Sequence, residues 1–368
     1  MFISPINKDC LSNLKVYQHK YSSESTMFNE VTYPLLNKCV NLLPLTVSPI
    51  ILSLIGFLCI IFSGFISYLD GGFDFSHELS RFTCGTIGLC QLLYYIFDTL
   101  DEIQAKRINK VNSLGSLLDH TFDVFVTIIT AFNLSKLLAV GNSDYLSFNI
   151  YFALFIGFYM TNFAELKVGE MYFPEYSGAD EGNLFMAFLG LLCGYTGQQW
   201  IIHIFFTNTT VTVGRLIGWF IAVLSLKYIY YCYSSVYDKR SRKECGKNVF
   251  ENAPFYSVIL VPLYYQEYYP VFFNQHNALL LLNASLIFAR VCMDVVFRIC
   301  TMDIPKGCLM FWISNLAYIF TFFFPVDSIR IFVLKTLFIV QLVELIIFMF
   351  IRFKQIINYL NNNKEIGN

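Results

Sequence analysis

The chain has 368 residues, of which 56% are hydrophobic and only 14% are charged, and its mean hydropathy is +0.55. Soluble domains carry roughly a quarter charged residues, so this composition excludes an ordinary soluble protein and predicts an all-α, polytopic membrane protein. The net charge of -1 gives no indication of nucleic-acid binding. The 11 cysteines show neither CxxC pairs nor metal-ligand spacing, so we expect reduced thiols packed as small apolar residues.

Ten apolar segments approach the length of about 20 residues that a membrane-spanning helix needs. In chain order they lie at 48–68, 82–104, 114–138, 147–164, 183–205, 212–235, 255–273, 277–298, 307–325 and 329–352. The seventh is the weakest candidate, because it contains Glu267 and two prolines. The mixed polar start of the chain predicts no cleavable signal peptide, so the first span is expected to target the chain to the membrane.

Basic residues predict the orientation of these spans, because they accumulate on the cytosolic side of membranes. They follow the second, sixth and tenth spans, which places all of them on one side: Lys106, Arg107, Lys110, Lys239, Arg240, Arg242, Lys243, Lys247, Arg352, Lys354 and Lys364. The opposite loops are short or acidic, and a glycosylation pattern at Asn208 falls there. Both chain ends are therefore expected in the cytosol, and the protein in an endomembrane such as the endoplasmic reticulum.

Two small patterns lie within the predicted spans. Gly190 and Gly194 have the GxxxG spacing typical of close helix packing, and a homodimer surface is one place for it. The tyrosines at 264, 265, 268 and 269 are more typical of an interfacial aromatic belt than of a choline-binding cage, which would need converging rings.

Four aspartates interrupt the apolar sequence of the second and third spans. Asp98 and Asp101 are three residues apart, and Asp119 and Asp123 are four apart, so each pair projects from one face of its helix. Folding back the basic turn between them would bring four carboxylates together at the membrane boundary. Unpaired acids are costly there, and carboxylate oxygens suit divalent cations. The pattern predicts a metal site; alternatively, the first pair caps a helix end and the second pairs with local lysines.

The spacing of these aspartates resembles the signature of the CDP-alcohol phosphotransferases, D-x-x-D-G-x-x-A-R-x8-G-x3-D-x3-D. All four acids are in register, and Ala105 and Gly115 match the alanine and the second glycine. The stretches 19–22 (His19-Lys20-Tyr21-Ser22) and 164–182 resemble the choline/ethanolamine phosphotransferase branch. The matching residues of the longer stretch are Glu165, Gly169, Gly178, Glu181 and Gly182.

The resemblance implies an enzyme that transfers phosphocholine or phosphoethanolamine from CDP-choline or CDP-ethanolamine to diacylglycerol, releasing CMP. It also implies two divalent ions, Mg²⁺ or Mn²⁺, that hold the pyrophosphate. Their ligands would be Asp98, Asp101, Asp119 and Asp123. The catalytic helices would occupy 48–235, between a cytosolic segment at 1–47 and further membrane helices at 236–352, with a cytosolic tail at 353–368.

The resemblance further implies a nucleotide site and a base. Ala105, Lys106 and Gly115 would border the nucleotide, where small residues leave room for it. The acceptor hydroxyl must lose a proton, and His120 is one candidate to take it, since an imidazole with a pKa near 6.5 suits that role at cytosolic pH. Asp123 is the other candidate.

Four positions depart from the family pattern. Glu102 replaces its first glycine, Lys106 its arginine, Ser116 the acid after its second glycine, and Ile50 the asparagine of its A-P-N stretch. A lysine cannot make the two-point contact of arginine with phosphate. Glu102 either weakens nucleotide binding by its charge, or turns outward beside Lys106, or supplies an extra ligand.

Two other functions compete with this interpretation. Buried acids also form ion pathways in cation- or proton-coupled transporters, although these often show internal repeats, and none is found here. A catalytically weak or inactive relative of the family would also keep the aspartates, and Glu102 is the feature that favours it.

The predicted orientation can be tested by cysteine labelling. Cysteines introduced at Lys110 and Lys243 should react with an impermeant maleimide from the cytosolic side of sealed vesicles, and one at Asn208 only from the lumen. Labelling of the two lysine positions from opposite sides would show that the number of spans between them is odd, and the predicted span count would be wrong.

Overall fold

A computed structural model describes residues 6, 8–15, 27–109, 113–141, 145–169, 178–203, 211–239, 253–301 and 309–364. Within these ranges no β-strand occurs and twelve α-helices follow one another. They are α1 (Lys8–Ser12), α2 (Met27–Cys39), α3 (Pro49–Leu69), α4 (Arg81–Arg107), α5 (Ser113–Leu137), α6 (Tyr145–Val168), α7 (Ala179–Thr196), α8 (Val213–Lys239), α9 (Ala253–Tyr268), α10 (Pro270–Thr301), α11 (Leu309–Phe320) and α12 (Asp327–Lys364). The predicted all-α, polytopic membrane fold is confirmed.

The ten predicted spans correspond in order to the helices α3 to α12, although the seventh span, 255–273, also includes the first turn of α10. Five helical segments are both long and apolar enough to cross a membrane: Pro49–Leu69, Leu114–Leu137, Val213–Ser234, Pro270–Thr301 and Asp327–Asn362. Several shorter or more polar helices accompany them, so the count of ten spans stays a prediction.

The boundary between the seventh and eighth spans differs from the prediction. The sequence placed it at 274–276, whereas α9 ends at Tyr268 and α10 already begins at Pro270. Proline has no N–H to donate and its fixed φ suits the first turn of a helix, which explains a start at this residue. His276 then has non-helical φ and ψ of -129° and 19°, so a kink inside α10 lies in the predicted gap.

The chain divides into two compact units, which we describe separately. One comprises His19–Asp238, and the other combines Met1–Gln18 with Lys239–Asn368. In the first unit α4 packs against both α3 and α7, and α5 packs against α3 and α6. The helices α4 and α5 carry the four aspartates, so the packing around them decides the geometry of the predicted metal site.

Glycines allow α4 and α7 to approach within backbone contact. A Cβ atom added to Gly190 of α7 would lie 2.6 Å from the Cα of Gly88 on α4, and one added to Gly194 would lie 2.7 Å from the Cα of Gly85. Real Cβ atoms do not approach so closely, so any side chain here would force the helices apart. The GxxxG pair therefore packs within the chain, against a second pair of glycines that the sequence analysis did not recognise.

A buried lysine connects the C-terminal ends of α3 and α5. Lys136 on α5 is fully buried, and its ammonium donates hydrogen bonds to the carbonyl oxygens of Ser67 (2.8 Å), Asp70 (2.5 Å) and Gly72 (3.0 Å). These carbonyls lie at and beyond the C-terminus of α3, where a cation is favourable. The buried Gln198 side chain then donates to the Lys136 carbonyl (2.7 Å), which links the segment after α7 to the same place.

The second unit contains a buried charge cluster between α10 and α12. Arg290 donates to Glu344 (3.0 Å), lies 3.5 Å from Asp294, and stacks over the ring of Phe348 with its guanidinium carbon 3.5 Å from the ring centroid. Arg290 and Glu344 are 5% and 2% exposed. Because each charge has a partner of opposite sign, these two apolar helices can bury them.

The glycine contact makes a specific prediction about stability. Gly88→Ala should destabilise the protein by about 1–3 kcal/mol, because the new methyl would meet the Ala187 carbonyl oxygen at 2.7 Å and backbone atoms cannot rotate away. Gly182→Ala on α7 is the matched control, since a Cβ there meets nothing within 4 Å. Thermal unfolding midpoints in detergent should fall for Gly88→Ala and not for Gly182→Ala; equal midpoints would contradict the close contact.

Candidate metal centre

Three carboxylates converge where α4 meets α5. Oxygen atoms of Asp98, Asp119 and Asp123 all lie within 4.8 Å of one another, and the three residues are partly buried. Two charges 4.8 Å apart repel by about 3 kcal/mol at an effective dielectric of about 20. Hard oxygen ligands at this spacing suit a divalent cation, which would remove the repulsion. The structure thus brings together three of the four predicted ligands.

Asp101 occupies a different environment from the other three aspartates. It is 8% exposed, and its Oδ2 accepts a short hydrogen bond from the hydroxyl of Ser53 on α3. Asp101 lies one turn after Asp98 on α4, so it borders the three converging carboxylates without belonging to that group. Its role as a ligand stays a prediction.

Asp123 is held by a tyrosine that the sequence analysis missed. The hydroxyl of Tyr94 on α4 donates to Asp123 Oδ1 at 2.6 Å, and Tyr94 is only 6% exposed. Tyr94 precedes Asp98 by four residues and so lies on the same face of α4. The spacing of four residues between Tyr94 and Asp98 could have indicated this role. It is a weak signal, because the chain has 24 tyrosines.

The two candidates for the base are neighbours. His120 Nδ1 lies 3.9 Å from Asp123 Oδ2, and the two side chains are 14% and 23% exposed. This distance exceeds that of a direct hydrogen bond. The two groups are nevertheless close enough for the carboxylate to attract a protonated imidazole. The roles of His120 and Asp123 as the base stay predictions.

Glu102 forms an exposed ion pair with Lys106. The Lys106 ammonium lies 2.7 Å from Glu102 Oε1, and the side chains are 55% and 44% exposed. Partial burial lowers the pKa of Lys106, but the hydrogen bond and charge of Glu102 outweigh it and raise the pKa above its usual value. Of the three interpretations of Glu102, this contact matches the one in which it turns outward beside Lys106.

Of the residues predicted to border a nucleotide, Ala105 and Lys106 lie in the last turn of α4, and Gly115 lies in the first turn of α5. Lys106 lines a cleft of about 420 Å³ together with Tyr33, Asn37 and Arg107. The Arg107 guanidinium donates hydrogen bonds to two backbone carbonyls, those of Val40 (2.7 Å) and Leu43 (2.9 Å). Ala105 is four residues after Asp101 and Gly115 is four residues before Asp119, so both share a helix face with an aspartate. Their roles stay predictions.

The first turn of α7 adds two acids close to this region. Burial, with smaller contributions from the charges of Glu181 and Glu102, raises the pKa of Asp180 to about 6. One turn further on, Asn183 accepts a hydrogen bond of 2.8 Å from Gln91 of α4. The last residues of the 164–182 stretch thus form the first turn of α7, which packs against α4. Asp180 is a charged neighbour of the site that the sequence analysis did not single out.

Several predicted features lie outside the described residues. These are the stretch at 19–22, the central part of the 164–182 stretch (residues 170–177), Lys110, Asn208, and the basic residues Arg240, Arg242, Lys243 and Lys247.

Comparison with known proteins finds similarity to several phosphotransferases and phosphatidyltransferases. The chain is 29% identical over 199 residues to cholinephosphotransferase 1 of Saccharomyces cerevisiae, covering 54% of this chain and 50% of that protein. It is 29% identical over 205 residues to choline/ethanolaminephosphotransferase 1 of the same yeast, covering 55% and 51%. It is 31% identical over 121 residues to CDP-diacylglycerol–serine O-phosphatidyltransferase of Encephalitozoon cuniculi, covering 33% and 31%.

The predicted family resemblance is confirmed. The similarity to choline/ethanolamine phosphotransferases extends over about half of this chain, and the chain spans about half the length of these curated relatives. No family model matches the chain.

The three converging carboxylates predict a binding site that can be measured directly. Asp119→Asn should lower the affinity for Mn²⁺ by at least about tenfold, because it removes a charged oxygen ligand. Glu102→Gln is the matched control, since this carboxylate lies on α4 but pairs with Lys106 outside the group. Titrations followed by electron paramagnetic resonance of the purified protein should show the loss only for Asp119→Asn. An equal loss for Glu102→Gln would show that Glu102 is a ligand.

Proposed function

We propose that the protein is a member of the CDP-alcohol phosphotransferase family that transfers phosphocholine or phosphoethanolamine from its CDP-alcohol to diacylglycerol, forming the phospholipid and CMP. The observation that carries this proposal is the convergence of Asp98, Asp119 and Asp123 within 4.8 Å, on residues that match the family signature. The similarity to a cholinephosphotransferase and a choline/ethanolaminephosphotransferase supports the choice of head group.

The carboxylates fit a divalent cation, Mg²⁺ or Mn²⁺. When bound, such ions would offset the charge of the pyrophosphate and stabilise the departing CMP. Asp98 and Asp119 present one oxygen each from facing helices, and Asp123 presents another from the next turn of α5. Asp101 is proposed as the fourth ligand, held in place by Ser53.

The acceptor must give up the proton of its hydroxyl. We assign this proton to His120, with Asp123 as the alternative base. The 3.9 Å separation allows Asp123 to stabilise the imidazolium that forms, which is the role of an orienting carboxylate beside a general base. The partial exposure of His120 leaves its ring accessible to a hydroxyl group that approaches from the membrane.

The nucleotide would occupy the cytosolic ends of α4 and α5. Ala105 and Gly115 are small and would leave space beside it, and Lys106 would approach its phosphates. The proposed location is the endoplasmic reticulum membrane with this end facing the cytosol, where CDP-alcohols are water-soluble substrates and diacylglycerol arrives through the bilayer. The catalytic helices are proposed to lie within 48–235, and a homodimer is compatible with this arrangement.

A transfer assay tests the proposal. Purified protein with diacylglycerol and Mg²⁺ should transfer label from CDP-choline or CDP-ethanolamine, and a chelator should abolish transfer. Asp119→Asn should lower kcat/KM at least about a hundredfold, equivalent to about 2.7 kcal/mol of transition-state stabilisation. Glu102→Gln again serves as the control carboxylate and should retain transfer.

Two results would contradict the proposal. Transfer of neither head group by a folded protein that binds Mn²⁺ would point to a catalytically inactive relative. Normal transfer by Asp119→Asn would show that the converging carboxylates are not the metal site of the reaction.

A further inference from the structure

Tyr94 makes a hydrogen bond between the two helices that carry the converging carboxylates. Its hydroxyl donates to Asp123 Oδ1 at 2.6 Å, so a residue of α4 restrains a carboxylate of α5. Hydrogen bonds to a charged acceptor are shorter and about twice as strong as bonds between neutral groups. The ring itself packs in a small apolar cluster with Ile60 and Val126.

The hydrogen bond from Tyr94 restrains a carboxylate that its neighbours repel. Asp123 shares the site with Asp98 and Asp119, and like charges at this spacing favour rotamers that move apart. An aspartate has two side-chain torsions, so a carboxylate without a restraint could swing away from its neighbours. The tyrosine bond opposes that movement before any cation is present.

The bond also decides which way Asp123 faces. With Oδ1 directed at Tyr94, Oδ2 is the oxygen on the side of His120, at 3.9 Å from Nδ1. The same bond therefore fixes the carboxylate relative both to the other two aspartates and to the candidate base.

We infer that Tyr94 is a positioning residue, which holds the Asp123 carboxylate in the orientation that binds the divalent cation. The inference rests on the proposed function, because it assigns Tyr94 a part in the same metal site. It differs from a packing role, since packing depends on the ring whereas positioning depends on the hydroxyl.

The chain offers a closely matched pair of variants. Tyr94→Phe removes the hydroxyl and keeps the ring in its apolar cluster. Tyr95→Phe removes the neighbouring hydroxyl, which is also buried but bonds with Thr32 of α2 at 2.5 Å rather than with a carboxylate of the site. Each variant loses one hydrogen bond of a buried tyrosine, so any difference between them comes from the partner.

The test is the binding of Mn²⁺ alone to the 368-residue chain in detergent, measured by electron paramagnetic resonance. Tyr94→Phe should lower the affinity for Mn²⁺ roughly tenfold, which is the effect of losing one hydrogen bond to a charged group. Tyr95→Phe should change it less than about twofold. At saturating metal, Tyr94→Phe should also reduce kcat while the KM for the CDP-alcohol stays within about twofold.

The outcomes separate this inference from the proposed function. If the unaltered protein binds Mn²⁺ and Tyr94→Phe binds it equally well, Tyr94 does not position Asp123, although the proposed function stands. An equal loss of affinity in Tyr95→Phe would also overturn the inference, because it would reveal a general effect of helix packing. If the unaltered protein binds no Mn²⁺, the proposed metal site fails, and this inference fails with it.

Discussion

The mutual repulsion of three carboxylates is the constraint on which the arrangement of the first unit depends. Asp98, Asp119 and Asp123 would lower their energy by moving apart, since each pair repels by about 3 kcal/mol at an effective dielectric of about 20. The surrounding contacts oppose that separation. Tyr94 ties α4 to Asp123, and Lys136 fastens the far end of α5 to the C-terminus of α3. If the three carboxylates bind a cation, as the proposed function requires, these contacts gather the ligands before the ion arrives and so favour its binding.

The glycine contact between α4 and α7 also restrains α4, the helix that carries Asp98. Backbone contact at Gly88 and Gly190 leaves little freedom for the two helices to slide, since a shift of either one would bring a larger side chain into the contact. Hydrogen bonds between side chains then set the register of α4 against α7, as the bond from Gln91 to Asn183 shows. In a membrane, where apolar surfaces gain nothing by leaving lipid, such close packing and buried hydrogen bonds are the main sources of helix association.

The sequence predicted the features that depend on local patterns. Apolar length located each long helix, and the spacing of the aspartates predicted their shared faces. Features that depend on tertiary contacts were missed. In the sequence Lys136 looks like one more basic residue at the end of a span, yet its side chain is fully buried and donates to three carbonyls at and beyond the C-terminus of α3. In the sequence Tyr94 is one aromatic residue among many. Only the fold shows that its hydroxyl donates a hydrogen bond to Asp123. The helix break at Tyr269 was misplaced because hydropathy changes gradually there, whereas Pro270 imposes a sharp boundary.

The departures from the family signature at Glu102 and Lys106 are best understood together. A Glu four residues before a Lys is the favourable order for an ion pair on a helix, and the structure shows that pair at 2.7 Å. Since both side chains are about half exposed, the pair contributes at most about 1 kcal/mol to stability. Its larger effect is electrostatic. The ammonium neutralises the carboxylate, so the glutamate adds little net charge beside three aspartates that already repel one another. A glycine and an arginine at these positions would leave the cation without its i−4 partner. A glutamate and a lysine hold that cation on the helix surface, and any contact with a phosphate must compete with the pair.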